Sequence, residues 1–187
     1  MLKKMRGFTL IEMLIVVAII GILAALLIPN AMSALQKAKQ KGTIKDINTI
    51  STGLIDYITD KGIAPNATGG ELATTGDPVV TALQGFYLKT MPVRDQWGHP
   101  FLVWAREGCS ANDFGITLSE SETTWGDDAF IVGSTGRNTD PGDYGAYDPA
   151  NPAASLYEVG SMQDFNKEIV NWNGSMVVGP RTAAAAS

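Results

Sequence analysis

The sequence predicts an α+β fold in which one long amino-terminal helix packs on a small antiparallel sheet. Three observations carry this. Residues 8–28 form an apolar run with a single ionisable side chain, Glu12. An apolar repeat of mostly helical spacing then continues through Leu35, Ala38, Ile47, Ile50, Leu54 and Ile58. Beyond Gly62 the composition shifts to Gly, Thr and Ala, followed by short β-branched or aromatic segments bounded by Gly, Pro or charge.

The helix comes first. Residues 1–7 are a leader carrying Lys3, Lys4 and Arg6. The 21 residues of 8–28, at about 1.5 Å each, cross a hydrocarbon core about 30 Å thick. The basic leader stays on the cytoplasmic side, so everything after Pro29 is expected beyond the membrane. An ordinary secretory signal would end at a small-residue cleavage site, and "ALLIPNAMSA" offers small residues. The helical pattern nevertheless runs on to Lys61-Gly62, a cation followed by a good helix terminator. The helix is therefore expected over 8–61, membrane-spanning in 8–28. Its second half is amphipathic, with Lys37, Lys39, Lys41, Lys45 and Asp46 among the apolar positions. A plain signal anchor would account for the span but not for Glu12. A carboxylate near the bilayer centre costs about 2.5–3.5 kcal/mol, so Glu12 requires a partner. Pro29 removes a backbone hydrogen bond and is expected to kink or loosen the helix over 25–29.

Residues 62–187 are expected to form a globular head. "GIAPNATGGELATTGDP" reads as a connecting loop, and "VVTALQGFYL" as a short helix that packs Val80, Leu83 and Phe86 onto the long one. "PFLVWARE", "DAFIVGS" and "GSMVVGP" read as three antiparallel strands. Trp97, Trp104, Trp125 and Trp172 read as packing residues. The lone Cys109 excludes an intrachain disulfide and reads as a small buried hydrophobe.

At 187 residues the chain supports one domain with a real core. Without the three leader cations, basic residues fall from 14 to 11 against 19 acidic ones. That balance argues against general nucleic-acid binding through phosphate neutralisation. There is no zinc cluster, phosphate loop or nucleophile elbow, and the only histidine, His99, sits between Gly98 and Pro100 as a turn residue. The chain is not read as an enzyme, and no cofactor is required for its function.

"KKMRGFTLIEMLIVVAIIGILAALLIP" resembles the amino terminus of the type IV pilin family, which includes the pseudopilins of type II secretion. The matching positions are the basic residues, Gly7, Phe8, Thr9, Leu10, Ile11, Glu12 and Pro29. The resemblance implies that a prepilin peptidase cuts between Gly7 and Phe8, methylates the new Phe8 amine and leaves the helix in place. A residue without Cβ at Gly7 suits access to the scissile bond. It also implies that Glu12 attracts the amino terminus of a neighbouring subunit during assembly, relieving two charges in an apolar bundle. The helix near Pro29 would then extend on assembly, a plain kink being the alternative. The implied partners are further copies in a homo-oligomeric helical filament, the peptidase, and an inner-membrane assembly platform with its ATPase. The implied location is the inner membrane, single-pass with the head in the periplasm, and then a periplasmic or extracellular filament.

"PVRDQWGHPFLVWA" is similar to a segment of major pseudopilins through Asp95, Trp97, Gly98 and Pro100, as are "DAFIVGSTG" and "EIVNW" to later ones. The usual carboxyl-terminal cysteine pair of pilins is absent. The favoured function is thus the major pseudopilin of type II secretion, a filament that helps move folded proteins through the outer membrane. The alternatives are a major type IV pilin for adhesion, twitching or DNA uptake, and a minor, tip-located binding subunit. The resemblance further implies structural calcium in the loop after the second strand, where "STGRNTDPGDYGAYDP" offers Asp140, Asp143 and Asp148, with Glu168 ahead of Ile169. Thr135 stands where the family has an aspartate, and there is no EF-hand spacing. An ordinary acidic surface loop is the other reading, and the ligand set stays open.

Overall fold

Helix α1 spans Leu10–Lys61, 52 residues with Pro29 inside it. In the computed structural model residues 8–66, 69–72, 76–118, 124–140, 142, 147–148 and 151–181 are described. Gly7 and Asp143 therefore lie outside the described residues. The helix continues on both sides of Pro29, because one missing N–H does not end a ladder of this length. It ends where the sequence predicts. The Gly62 N–H donates to Ile58 O at 2.7 Å, and Gly62 takes the left-handed conformation (φ 75°) of a helix stop.

The chain divides into two units, Met1–Lys37 and Ala38–Ser187. In the first, the apolar part of α1 is bare: Leu10, Leu26 and Leu27 are 85%, 70% and 69% exposed. It is long and apolar enough to cross a membrane, and none of its most apolar window is buried. Leu35 belongs to this bare surface too, at 51% exposure.

In the second unit a six-stranded sheet has the order β1-β2-β3-β5-β6-β4. The strands are β1 Gly70–Glu71, β2 Leu102–Ala105, β3 Phe130–Ser134, β4 Leu156–Tyr157, β5 Ile169–Trp172 and β6 Ser175–Pro180. Neighbours are antiparallel except β4 and β6. The three expected strands correspond to β2, β3 and β6. Strand β1 interrupts the segment read as a plain loop, pairing Gly70 with Val103 and Glu71 with Leu102. Strands β5 and β6 form a hairpin around Asn173-Gly174, both at positive φ (49° and 87°), as an Asn-Gly turn allows.

Side-chain alternation puts core on both faces of the sheet. Val103, Ala105, Phe130 and Val132 join Ile47, Ile50 and Leu54 of α1 in one cluster. Leu102, Trp104 and Ile131 join Cys109, Phe114 and Ile116 in another. Strands buried on both sides read as unbroken apolar runs, which is why "FLVWA" and "FIV" lack a polar face. Burial pushes the Cys109 thiol up to about 12, so it behaves as the inert hydrophobe expected of it.

Helix α2, Pro78–Leu83, is capped by Asp77, whose Oδ1 accepts from the Val79 N–H at 2.8 Å. It is shorter than the sequence predicts. Val80 and Leu83 are buried as expected, but Phe86 is 83% exposed and does not pack on α1. Gln84 is already extended and Gly85 turns the chain at φ 101°, so the helical spacing that would aim Phe86 inward stops at Leu83.

Candidate functional site

At the amino-terminal end of α1 the structure supplies Glu12 with a partner inside its own chain. Thr9 precedes the first helical residue and Glu12 is the third residue in. The Thr9 N–H and hydroxyl both donate to Glu12 Oε2, at 2.8 and 2.6 Å, and the Glu12 N–H donates to Thr9 Oγ1 at 3.3 Å. This reciprocal capping box satisfies helix-end donors that an apolar environment would leave bare. The signal was present in the sequence as Thr-x-x-Glu ahead of an apolar run. Phe8, immediately outside the box, is 73% exposed.

The second constellation lies in the head. Asp95 is 6% exposed, and its carboxylate organises the turn Gln96–His99. Oδ1 accepts from the Trp97 and His99 N–H groups, both at 2.9 Å, while Oδ2 accepts from the Ser134 hydroxyl at 2.8 Å. Ser134 Oγ in turn accepts from the Gly136 N–H at 3.0 Å. The Gly136 carbonyl stands 3.0 Å from His99 Nδ1; a carbonyl can only accept, so Nδ1 carries the proton. The turn and the end of β3 are thereby closed into one ring of contacts. The sequence placed His99 in a turn and marked Asp95 only through resemblance, with no sign of their partners at the end of β3.

Gly136 is required at its position. Its φ is 78°, and an added Cβ would meet the carbonyl oxygens of Lys167, Phe165 and Asn166 at 2.6, 2.8 and 2.9 Å. The same two segments are joined by Arg137, whose N–H donates to Phe165 O at 2.7 Å and whose Nε donates to Asn166 Oδ1 at 2.9 Å. The loop leaving β3 is thus held against residues 165–168.

That loop carries the expected calcium ligands. Glu168 is 3% exposed, and its Oε1 accepts from the Gly142 N–H, so a buried carboxylate does face the loop backbone. Asp140 and Asp148 are exposed. Among the described residues no group of three His, Cys, Asp or Glu side chains converges in a way that could hold a metal ion. Glu168 fits a hard cation by type and placement; the exposed aspartates do not by themselves complete a carboxylate cage.

A bare apolar helix, capped at its tip and continuing into an α+β head, fits a membrane-anchored protein. Residues 2–28 match the family model described as the prokaryotic N-terminal methylation motif. Residues 30–132 match the model of type II secretion system protein G, and the chain belongs to that family. Three proteins called type II secretion system core protein G are similar to it. That of Escherichia coli K12 is 31% identical over 135 residues, covering 66% of this chain and 92% of its own. That of Pseudomonas aeruginosa is 39% identical over 104 residues, covering 53% and 72%. That of Aeromonas hydrophila is 34% identical over 104 residues, covering 53% and 72%. No solved structure matches the chain.

Proposed function

We propose that this chain is the major pseudopilin of a type II secretion system, a structural subunit that assembles into a helical filament. The observation that carries the reading is the bare apolar part of α1, exposed at Leu10, Leu26 and Leu27, in a chain of the protein G family. Such a surface is stable only in lipid or against other apolar helices. Both environments belong to one cycle: storage in the inner membrane as a single span with the head in the periplasm, then release into a helix bundle. The role is mechanical rather than chemical. Force comes from an assembly platform and its ATPase.

In this reading a prepilin peptidase cleaves between Gly7 and Phe8 and methylates the Phe8 amine. That cationic amine then lies four residues from Glu12, whose carboxylate pairs with the amine of a neighbouring subunit during assembly. Thr9 holds the carboxylate beforehand, since its contacts need no second copy. Pro29 marks the stretch of α1 that extends when the subunit leaves the bilayer. Calcium, where present, adds order to the loop after β3, with Glu168 as its buried ligand and Asp140, Asp143 and Asp148 as the loop's contribution.

The test is Glu12→Ala in the full-length chain. The variant makes the span more apolar, so membrane insertion persists. Cleavage persists as well, and mass spectrometry of the membrane fraction should find methylated Phe8 at the amino terminus. Filaments seen by electron microscopy should fall at least tenfold. Normal filament abundance would remove Glu12 from the assembly contact.

A further inference from the structure

Helix α1 carries like charges one turn apart on its exposed surface: Lys37, Lys41 and Lys45 in one row, and Asp56 with Asp60 in another. Like charges four residues apart weaken a helix. Asp60 also stands in the last turn, where the helix dipole prefers a cation such as its neighbour Lys61. Among the described residues Lys41, Lys45 and Asp56 form no ion pair within the chain. Asp60 accepts a hydrogen bond from the neutral Tyr87 hydroxyl at 3.1 Å. Helix stability does not account for the like-charge spacing.

The surface between the two rows is suited to close approach. The hydroxyls of Thr49 and Thr52 donate to the carbonyls four residues earlier, at 2.9 and 2.8 Å. Their donors are used up locally, so a neighbour need not satisfy them. Fifteen residues separate Lys41 from Asp56, and fifteen separate Lys45 from Asp60. One axial shift therefore matches both pairs at once.

We propose that this face docks a second copy of the chain, with Lys41 and Lys45 of one subunit against Asp56 and Asp60 of the next. The inference rests on the filament reading above. Copies anchored in the same membrane run parallel, and a parallel match requires a shift of fifteen residues, about 22 Å along the helix. The two surfaces differ, so the contact is heterologous. It repeats from copy to copy and builds a fibre rather than closing a dimer. An antiparallel match of Lys41 with Asp60 would close instead.

Two measurements on full-length protein test this. Carbodiimide cross-linking of filaments mixed from isotopically light and heavy subunits should join Lys41 to Asp56 and Lys45 to Asp60 between copies. In parallel, the reversals Lys41→Asp with Lys45→Asp, and Asp56→Lys with Asp60→Lys, should each lower filament yield at least tenfold. Combining all four should restore it, which also shows that the reversed residues fold. Cross-links from Lys41 to Asp60, normal filaments from either reversal, or no recovery in the combined variant would each overturn the pairing while leaving the filament reading intact. Absence of filaments from the unaltered chain would overturn that reading and this inference with it.

Discussion

Asp95 shows how one side chain sets the geometry of the head. Its carboxylate receives two backbone N–H groups and the Ser134 hydroxyl in a site where it is 6% exposed. A buried donor left without an acceptor costs about 1–3 kcal/mol, so losing this one acceptor affects three groups together. Asp95→Ala should destabilise the full-length protein in detergent by at least about 3 kcal/mol. Ser134→Ala, which removes one link and leaves the turn's own contacts, should cost about 1–2 kcal/mol. Urea unfolding followed by tryptophan fluorescence reads both. Equal midpoints for Asp95→Ala and the unaltered chain would show that the turn holds without its carboxylate. The importance of Asp95 was visible in the sequence only through resemblance, because its strand partner lies 39 residues away.

At the scale of elements, caps decide where short helices begin. The 3-10 helix Met162–Asn166 opens on Ser161, with Asp164 completing a capping box. The Lys167 ammonium, 2.7 Å from Asp164 Oδ1, and the Ser161 N–H, 2.7 Å from Oδ2, hold this carboxyl well below the usual carboxylate range. A depressed value in the folded state means that the stabilisation is complete above the ordinary value of 3.8 and fades as pH falls below it. Asp164→Asn should therefore be less stable than the unaltered chain at pH 7. The gap should narrow steadily as pH falls from about 4 to 2. Melting temperatures measured across that range check this, and a gap that does not vary with pH would assign the effect to shape rather than charge. This element packs its backbone carbonyls around Gly136, so its position also fixes the loop after β3.

For the whole molecule, the decisive property is that the chain divides into a short apolar unit, Met1–Lys37, and a much larger second unit, Ala38–Ser187. The head has its own core on both sides of the sheet, while the apolar part of α1 is left for other surroundings. The loop beside Glu168 is where an ion would couple to head stability, since a ligand bound only by the folded state raises its melting temperature. Adding a chelator to the full-length protein in detergent should lower its melting temperature, and calcium should restore it. In Glu168→Gln the chelator should have no effect. A chelator-insensitive melt of the unaltered chain would make Asp140, Asp143 and Asp148 an ordinary acidic surface.

The sequence by itself determined the apolar span, the methylation motif, the length of α1 and the three longest-reading strand segments. Each rests on signals local in the chain: a 21-residue apolar run, a helical repeat, a glycine stop, and β-branched runs between turn residues. Even the Thr9–Glu12 box and the Asn173-Gly174 hairpin were written locally as Thr-x-x-Glu and Asn-Gly. The tertiary structure decided what depends on contacts between distant residues. Strand β1 has two residues and exists because β2 offers an edge to pair with. Phe86 faces solvent because the backbone turns at Gly85, where helical periodicity no longer applies. His99 is a link to Gly136 rather than a bare surface residue because β3 ends beside its turn. Periodicity reports which side of an element is apolar, but the partner of a buried polar group is set by the packing of segments far apart in the chain.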